Sequence, residues 1–331
     1  MIPIDPTQSR QVAEHKHDTP LTCCAFDGSG KFVIAGGRDR GVVCLDVDAG
    51  KKTVLEGHDS WISSVVRAGA ELILTADFAG RVIAWDCTGE TPKPRWNITA
   101  HANTIYAMAT SLDGKLFATG DRDGIVRIWQ TSDGQRTHEI SGFEHPVYGL
   151  AFHADGRQLV TADRQPKSPR LKLWDFATGT EIRSIDVPQL SAYRRVEDIE
   201  WGGIRAITLS ADGNTLVACG SNGYSGPACA LLFDTATGEL KSKLSSTLKG
   251  FYYSARFHPQ GFLLTAGGDV GKGEFRVWDP SQEESLATVA APGPCTSIDA
   301  HPDGRRCVVA QMIGKGSYPD SGTLTLFEWA E

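Results

Sequence analysis

Nothing in the 331 residues approaches 18 consecutive apolar positions, so no segment reads as a membrane-spanning helix. The opening MIPIDPTQSR lacks a basic n-region and an apolar h-region, so it does not read as a secretory signal. Basic residues are in deficit, 33 Lys and Arg against 40 Asp and Glu. At a net charge of −7 the molecule as a whole repels nucleic acid and anionic membrane, and neither is expected as a partner. The eight cysteines form no C-x-x-C pair, and most sit in apolar runs such as TCCAF and VVCLD. They read as small buried hydrophobes in a reducing compartment, with the cytoplasm as the default location. There is no H-E-x-x-H, no G-x-S-x-G and no Ser-His-Asp arrangement, so neither catalysis nor a cofactor has a positive signal.

What the chain has in excess is glycine, 36 residues, which points to many tight turns between short strands. A short apolar run ending in an aromatic or leucine and a polar residue recurs seven times. The copies are VVCLD (42–46), VIAWD (82–86), VRIWQ (126–130), LKLWD (171–175), ALLFD (230–234), FRVWD (275–279) and LTLFE (324–328). Their anchors lie 40, 44, 45, 59, 45 and 49 residues apart. About 20 residues before most anchors stands a turn tetrapeptide such as LDGK (112–115), ADGR (154–157) or PDGR (302–305). That period holds four short strands and leaves no room for a helix in most units. One four-stranded sheet cannot bury both faces, whereas seven stacked radially give each sheet two neighbours.

These features resemble the WD-repeat (WD40) β-propeller family over essentially the whole chain. The third unit is the most complete, with AH (100–101), LDG (112–114), LFATGDRDG (116–124) and VRIWQ (126–130). The resemblance implies an all-β fold, a seven-bladed propeller of four-stranded antiparallel blades. The blades are expected at about 17–56, 57–99, 100–140, 141–186, 187–244, 245–290 and 291–331, all in one domain of residues 1–331. The last unit ends one strand short, so residues 9–14 are expected to pair into it and close the ring. The family's buried polar tetrad maps onto His101, Thr119, Asp123 and Trp129. Blade 2 keeps His58, Thr75 and Trp85 but shows Ala79 where the Asp is expected, and blade 1 keeps His17 and Asp39 but has Leu45 for the Trp. Blades 5 to 7 lack the His and are expected to rely on apolar packing.

In such propellers the inter-blade loops and the loops between second and third strands share one face, the top. The second–third loops lengthen from blade 4 onward, as does the connection VPQLSAYRRVEDIEWGG (187–203). Two sets of top-face contact positions follow from aligning the units. One holds Thr22, Ser63, Tyr106, Tyr148, Arg205, Tyr253 and Thr296; the other holds Arg38, Phe78, Arg122, Arg164, Ser221, Gly268 and Met312. Trp61 and Phe251 fall just upstream of the first set. Tyrosine, tryptophan and arginine at central positions match the composition of interface hot spots. The arginines suit a segment bearing carboxylate or phosphate. The bland reading of the same residues is stacking across the channel mouth, with the arginines paired to Asp77, Asp121 and Asp163.

Two further patterns carry little. Gly-Lys-Gly at 271–273 and 314–316 fits no phosphate loop and reads as flexible tips. His153, His258 and His301 share one repeat position but are expected to point outward from separate blades, so no metal site is assigned. The function expected is a non-enzymatic scaffold or adaptor binding a protein or peptide on the top face. The alternatives are a small-ligand or enzymatic propeller with its site at the channel mouth, and a structural subunit of a permanent complex.

Overall fold

In the computed structural model, described for residues 3–163, 165, 168–191, 193–194, 199–200, 203–223, 226–314 and 319–331, seven four-stranded antiparallel sheets form a ring. From the axis outward, blade 1 is Leu21–Phe26, Phe32–Gly37, Val42–Asp46 and Lys51–Leu55. Blade 2 is Ile62–Ala68, Leu72–Asp77, Arg81–Asp86 and Lys93–Thr99. Blade 3 is Ile105–Thr110, Leu116–Asp121, Val126–Gln130 and Arg136–Ile140. Blade 4 is Val147–Phe152, Gln158–Asp163, Arg170–Asp175 and Thr180–Asp186, and blade 5 is Ala206–Leu209, Thr215–Ser221, Pro227–Asp234 and Leu240–Lys249. Blade 6 is Phe251–Phe257, Leu263–Asp269, Lys272–Trp278 and Ser285–Ala291. The innermost strands touch in sequence around the axis, blade 7 against blade 1 included.

Each blade reads in the sequence as two kinds of strand because its neighbours cover it unevenly. The second strand is sandwiched on both faces, so LILTAD of blade 2 is buried at every position. A strand covered on both faces needs a largely apolar run, its polar members bonded internally as Thr75 and Asp77 are. The outermost strand of the same blade alternates exposed and half-buried positions, the period of a strand with one wet face. The core is therefore seven apolar layers between adjacent blades rather than one central mass. Blades 1 and 2 share Ile34, Val65 and Trp85; blades 4 and 5 share Val160, Ile204 and Phe233; blades 7 and 1 share Leu21, Val33 and Leu326.

The ring closes through both ends of the chain. Blade 7 is Cys295–Ala300, Arg306–Ile313 and Ser321–Ala330, completed by the N-terminal strand Asp5–His17. That strand is longer than the expected 9–14 and pairs from Asp5 with Ala330 to His17 with Gly322, with irregularities between Asp5 and Ser9 and between Gln11 and Ala13. Arg10 also pairs with Glu328 at 2.6 Å, an exposed contact of small energetic weight. The long blade 4–5 connection carries a 3-10 turn, Pro188–Leu190, and a two-residue hairpin, Tyr193–Arg194 with Ile199–Glu200.

Candidate functional site

Six of the seven innermost strands break register near their start, five at the second position and blade 6 at the third. The pairing skips Thr22, Ser63, Tyr106, Tyr148, Tyr253 and Thr296. A bulge leaves one residue unpaired and re-aims its side chain, and here it does so at one repeated site beside the mouth of the channel. Arg205 precedes its strand instead, with its N–H donating to Cys219. The second set is tied in at the same level: the N–H groups of Arg38, Phe78, Arg122 and Met312 donate to the carbonyls of Pro20, Trp61, Thr104 and Pro294, one residue ahead of each innermost strand.

What the bulge residues do differs around the ring. Thr22 Oγ1 donates to Ile62 O of the next blade at 3.1 Å, and Thr296 Oγ1 to Leu21 O at 2.8 Å. Those two stitch blades together. On the other side an aromatic row runs across three blades: Trp61 to Phe78 at 5.8 Å, Phe78 to Tyr106 at 6.3 Å, and Tyr106 to Tyr148 stacked at 4.4 Å. Arg38 lies 5.9 Å from the Trp61 ring. Trp61 is 47% exposed and Phe78 40%, unusual for rings with no packing duty in the core. A second, smaller group joins blades 5 and 6, with Arg205 over Phe251 at 4.6 Å and Phe251 5.8 Å from Tyr253. Burial raises the Tyr253 phenol above its ordinary range, and Arg205 opposes that shift. Arg122 is exposed on the same side. Arg164 lies outside the described residues.

The tyrosine stacking expected of the bland reading is present, but the arginine–aspartate pairing is corrected for two of the three carboxylates. Asp77 and Asp121 face inward to histidines. His101 Nδ1 lies 2.8 Å from Asp121 Oδ2, His101 Nε2 2.7 Å from Thr119 Oγ1, and Trp129 Nε1 donates to Thr119 Oγ1 at 2.9 Å. The tetrad of blade 3 is thus His101, Thr119, Asp121 and Trp129, and Asp123 is corrected out of it. Asp121 ends the second strand opposite Ile105, whereas Asp123 lies in the following turn, where Asn103 Nδ2 donates to it. Blade 2 repeats the arrangement with His58, Thr75, Asp77 and Trp85, so it has its acid after all, two residues before Ala79. Burial alone would raise these two carboxyls. The histidine bond and the backbone N–H groups of the turn more than reverse it, and both stand below the ordinary value.

Two other networks were not foreseen. Blade 6 lacks the histidine yet is not held by packing alone. Arg276 Nε donates to Glu274 Oε1 at 2.7 Å, Ser246 Oγ to the same oxygen at 2.5 Å, and Arg276 Nη2 to Thr247 Oγ1 at 3.2 Å. Both charged residues are buried, so each needs the other. At the opposite face, the histidines of the first turn do not point outward. His258 Nε2 donates to Gly304 O of blade 7 at 2.8 Å, and His301 Nε2 lies 3.2 Å from Gly30 O of blade 1. A side chain at Gly30, which has φ +79°, would collide with the His301 ring. His153 likewise lies against Gly213 of blade 5. These residues fasten the lower turns of neighbouring blades. Among the described residues no helix is long and apolar enough to cross a membrane.

The model of the WD domain, G-beta repeat, matches residues 8–46, 92–130 and 134–175. The serine-threonine kinase receptor-associated protein of Mus musculus is 25% identical over 324 residues, covering 94% of this chain and 80% of that one. The small ribosomal subunit protein RACK1y of Oryza sativa subsp. japonica is 25% identical over 166 residues, 49% of this chain and 46% of its own. The target of rapamycin complex subunit wat1 of Schizosaccharomyces pombe is 25% identical over 171 residues, 51% and 49%. The chain thus spans about half the length of the last two relatives. Three matched repeats within a closed ring of seven four-stranded blades make this chain a WD-repeat β-propeller.

Proposed function

We propose that this propeller is a non-enzymatic interaction scaffold that binds a protein or peptide segment across its top face. The observation that carries the reading is the aromatic row Trp61–Phe78–Tyr106–Tyr148, whose first two members stand exposed, with Arg38 beside Trp61. Large rigid aromatics bury much area on binding at little entropic cost, and arginine beside them is the composition of hot spots. The bulges give Tyr106 and Tyr148 a rigid base, while Trp61 and Phe78 flank the strands of blade 2 and are tied together by the bond from Phe78 N–H to Trp61 O. Exposed Arg38 and Arg122 at the same mouth favour a segment that carries carboxylate or phosphate groups. The names of the similar proteins, a ribosomal subunit protein, a complex subunit and a receptor-associated protein, point to work inside assemblies. Eight unpaired thiols fit a reducing compartment such as the cytoplasm.

The deciding experiment is affinity purification with the wild type beside a Tyr106→Ala, Tyr148→Ala, Arg122→Glu triple variant of unchanged circular dichroism. A partner held by the wild type and lost by the variant supports both the role and the face. A partner held equally by both moves the interface elsewhere on the propeller, and no partner at all removes the scaffold reading.

A further inference from the structure

At the end of the channel away from the aromatic row, the innermost strands of all seven blades surround a cavity of about 580 Å³. Its wall is mainly small or apolar, with Val66, Met108, Leu150 and Ile207 among its residues. Three ionisable side chains reach it: Arg67 from blade 2, Arg256 from blade 6 and Asp299 from blade 7. Arg67 crosses in front of blade 1 to donate to Asp299 Oδ2 at 3.2 Å, and the same oxygen accepts the Phe26 N–H at 2.9 Å. That oxygen is therefore occupied. Arg256 is half-buried, and its guanidinium has neither an ion pair nor a hydrogen bond to any described residue. The hydroxyl of Thr208, from blade 5, is likewise without a hydrogen-bond partner among the described residues and lines the same cavity. On the adjoining surface, the carboxylate of Asp212 is occupied by Ser210 Oγ and by Asn214.

We propose that this lower channel mouth is a binding site for a small oxyanion, a phosphate or carboxylate compound, gripped by Arg256. A guanidinium presents five donors in a fixed fork, and at this half-buried position beside the cavity it can grip an oxyanion with two of them at once. Arg67 and Arg256 against Asp299 leave the cavity one positive charge in excess, on a molecule whose total charge is −7. The volume falls within the range of small-molecule sites, roughly 300–1,000 Å³. The site does not share residues with the top face, so it stands or falls separately from the scaffold reading.

The test is isothermal titration of the full chain with inorganic phosphate and with citrate, at constant ionic strength in chloride. Phosphate binding alone identifies a phosphate compound as the ligand class, and citrate binding alone a carboxylate. Arg256→Gln is expected to weaken the bound probe roughly tenfold or more, as loss of a charge-assisted bond requires. Asp299→Asn keeps an acceptor for Phe26 while removing the cavity's carboxylate, and is expected to tighten binding. Arg136→Gln, on the outermost strand of blade 3 and away from both channel mouths, should leave the affinity unchanged. Should Arg256→Gln not fold, Arg256→Lys together with Asp299→Asn decides the matter, weaker and tighter respectively. Failure of both probes to bind in the millimolar range, or equal binding by wild type and the Arg256 variant, overturns the proposal.

Discussion

His101 Nδ1 and Asp121 Oδ2 lie 2.8 Å apart, both with side chains at most 2% exposed. The proton order follows from the chemistry of the four groups. Trp129 has only an N–H to give, so Thr119 receives it and passes its own hydroxyl proton to His101 Nε2, which leaves Nδ1–H facing the carboxylate. Asp121 Oδ1 meanwhile accepts the N–H groups of Asp123 and Ile125, fixing the turn.

Asp121→Ala is expected to destabilise the protein by about 2–4 kcal/mol, because it strands a buried histidine donor and two turn amides. Asp123→Ala, on an exposed side chain, is expected to stay within roughly 0.5 kcal/mol. Urea unfolding of the two variants side by side separates these positions, and equal losses would contradict the assignment of Asp121.

The same geometry sets an acid limit. Asp77 and Asp121 are held below their ordinary carboxyl value of 3.8, so more protons bind in the unfolded chain as the pH falls past it. Their contribution is complete above that value and is lost as the pH drops toward the folded pKa. The acid-unfolding slope of the wild type should therefore be steeper than that of Asp121→Asn, measured by ellipticity.

His258 gives a second pH dependence, of the same sign and at higher pH. Burial lowers its pKa below 6.5, and the bond to Gly304 O only partly opposes this. Nε2–H donates to Gly304 while Nδ1 accepts from Gln260 N–H, so a second proton on the ring breaks the latter bond. The unfolded state takes that proton first. Stability should be at full value above 6.5 and decline as the pH falls below it, and His258→Asn should flatten the decline in melting temperature over that interval.

Deleting residues 1–16 should lower the melting temperature of the whole ring and promote association. Without Asp5–His17 the strand Ser321–Ala330 becomes a free edge. A melting temperature equal to that of the full chain would mean that the closing strand contributes nothing to stability.

All eight cysteines are buried and unpaired, and burial pushes Cys44 and Cys229 up to about 11 and Cys219 up to about 12. A thiol-specific reagent at neutral pH should label almost none of them in the native protein and all eight after denaturation. Rapid labelling of the native form would place at least one thiol in contact with solvent.

The architecture was readable because a strand sandwiched between blades must carry a largely apolar run, and seven such runs at one period leave few alternatives. The choice between Asp121 and Asp123 was not readable from DRDG. Both acids have the right spacing to the turn, and only the pairing of Ile105 with Asp121 shows which one faces the histidine. Asp77, at the same position in blade 2, was the available signal. Glu274 and Arg276 were visible as charges in a buried strand, but their partner Ser246 comes from the outermost strand of the preceding blade, beyond the reach of spacing. The tyrosines were found by alignment; that bulges aim them was not, since a bulge leaves no fixed residue type behind.

The closing strand bears on the order of events at the ribosome. Arg10 meets Glu328 across 318 residues of sequence, so the first strand to be made is the last to find its partner. At synthesis rates of about 5–20 residues per second, it waits on the order of 15–60 seconds with its backbone donors and acceptors unpaired. During that interval blades 2 to 5 can gain both neighbours, whereas blades 1 and 6 still lack blade 7. A nascent chain of this kind offers other polypeptides an open strand edge for far longer than its finished form ever does, and whatever shields that edge during translation decides how much of the protein reaches the closed ring.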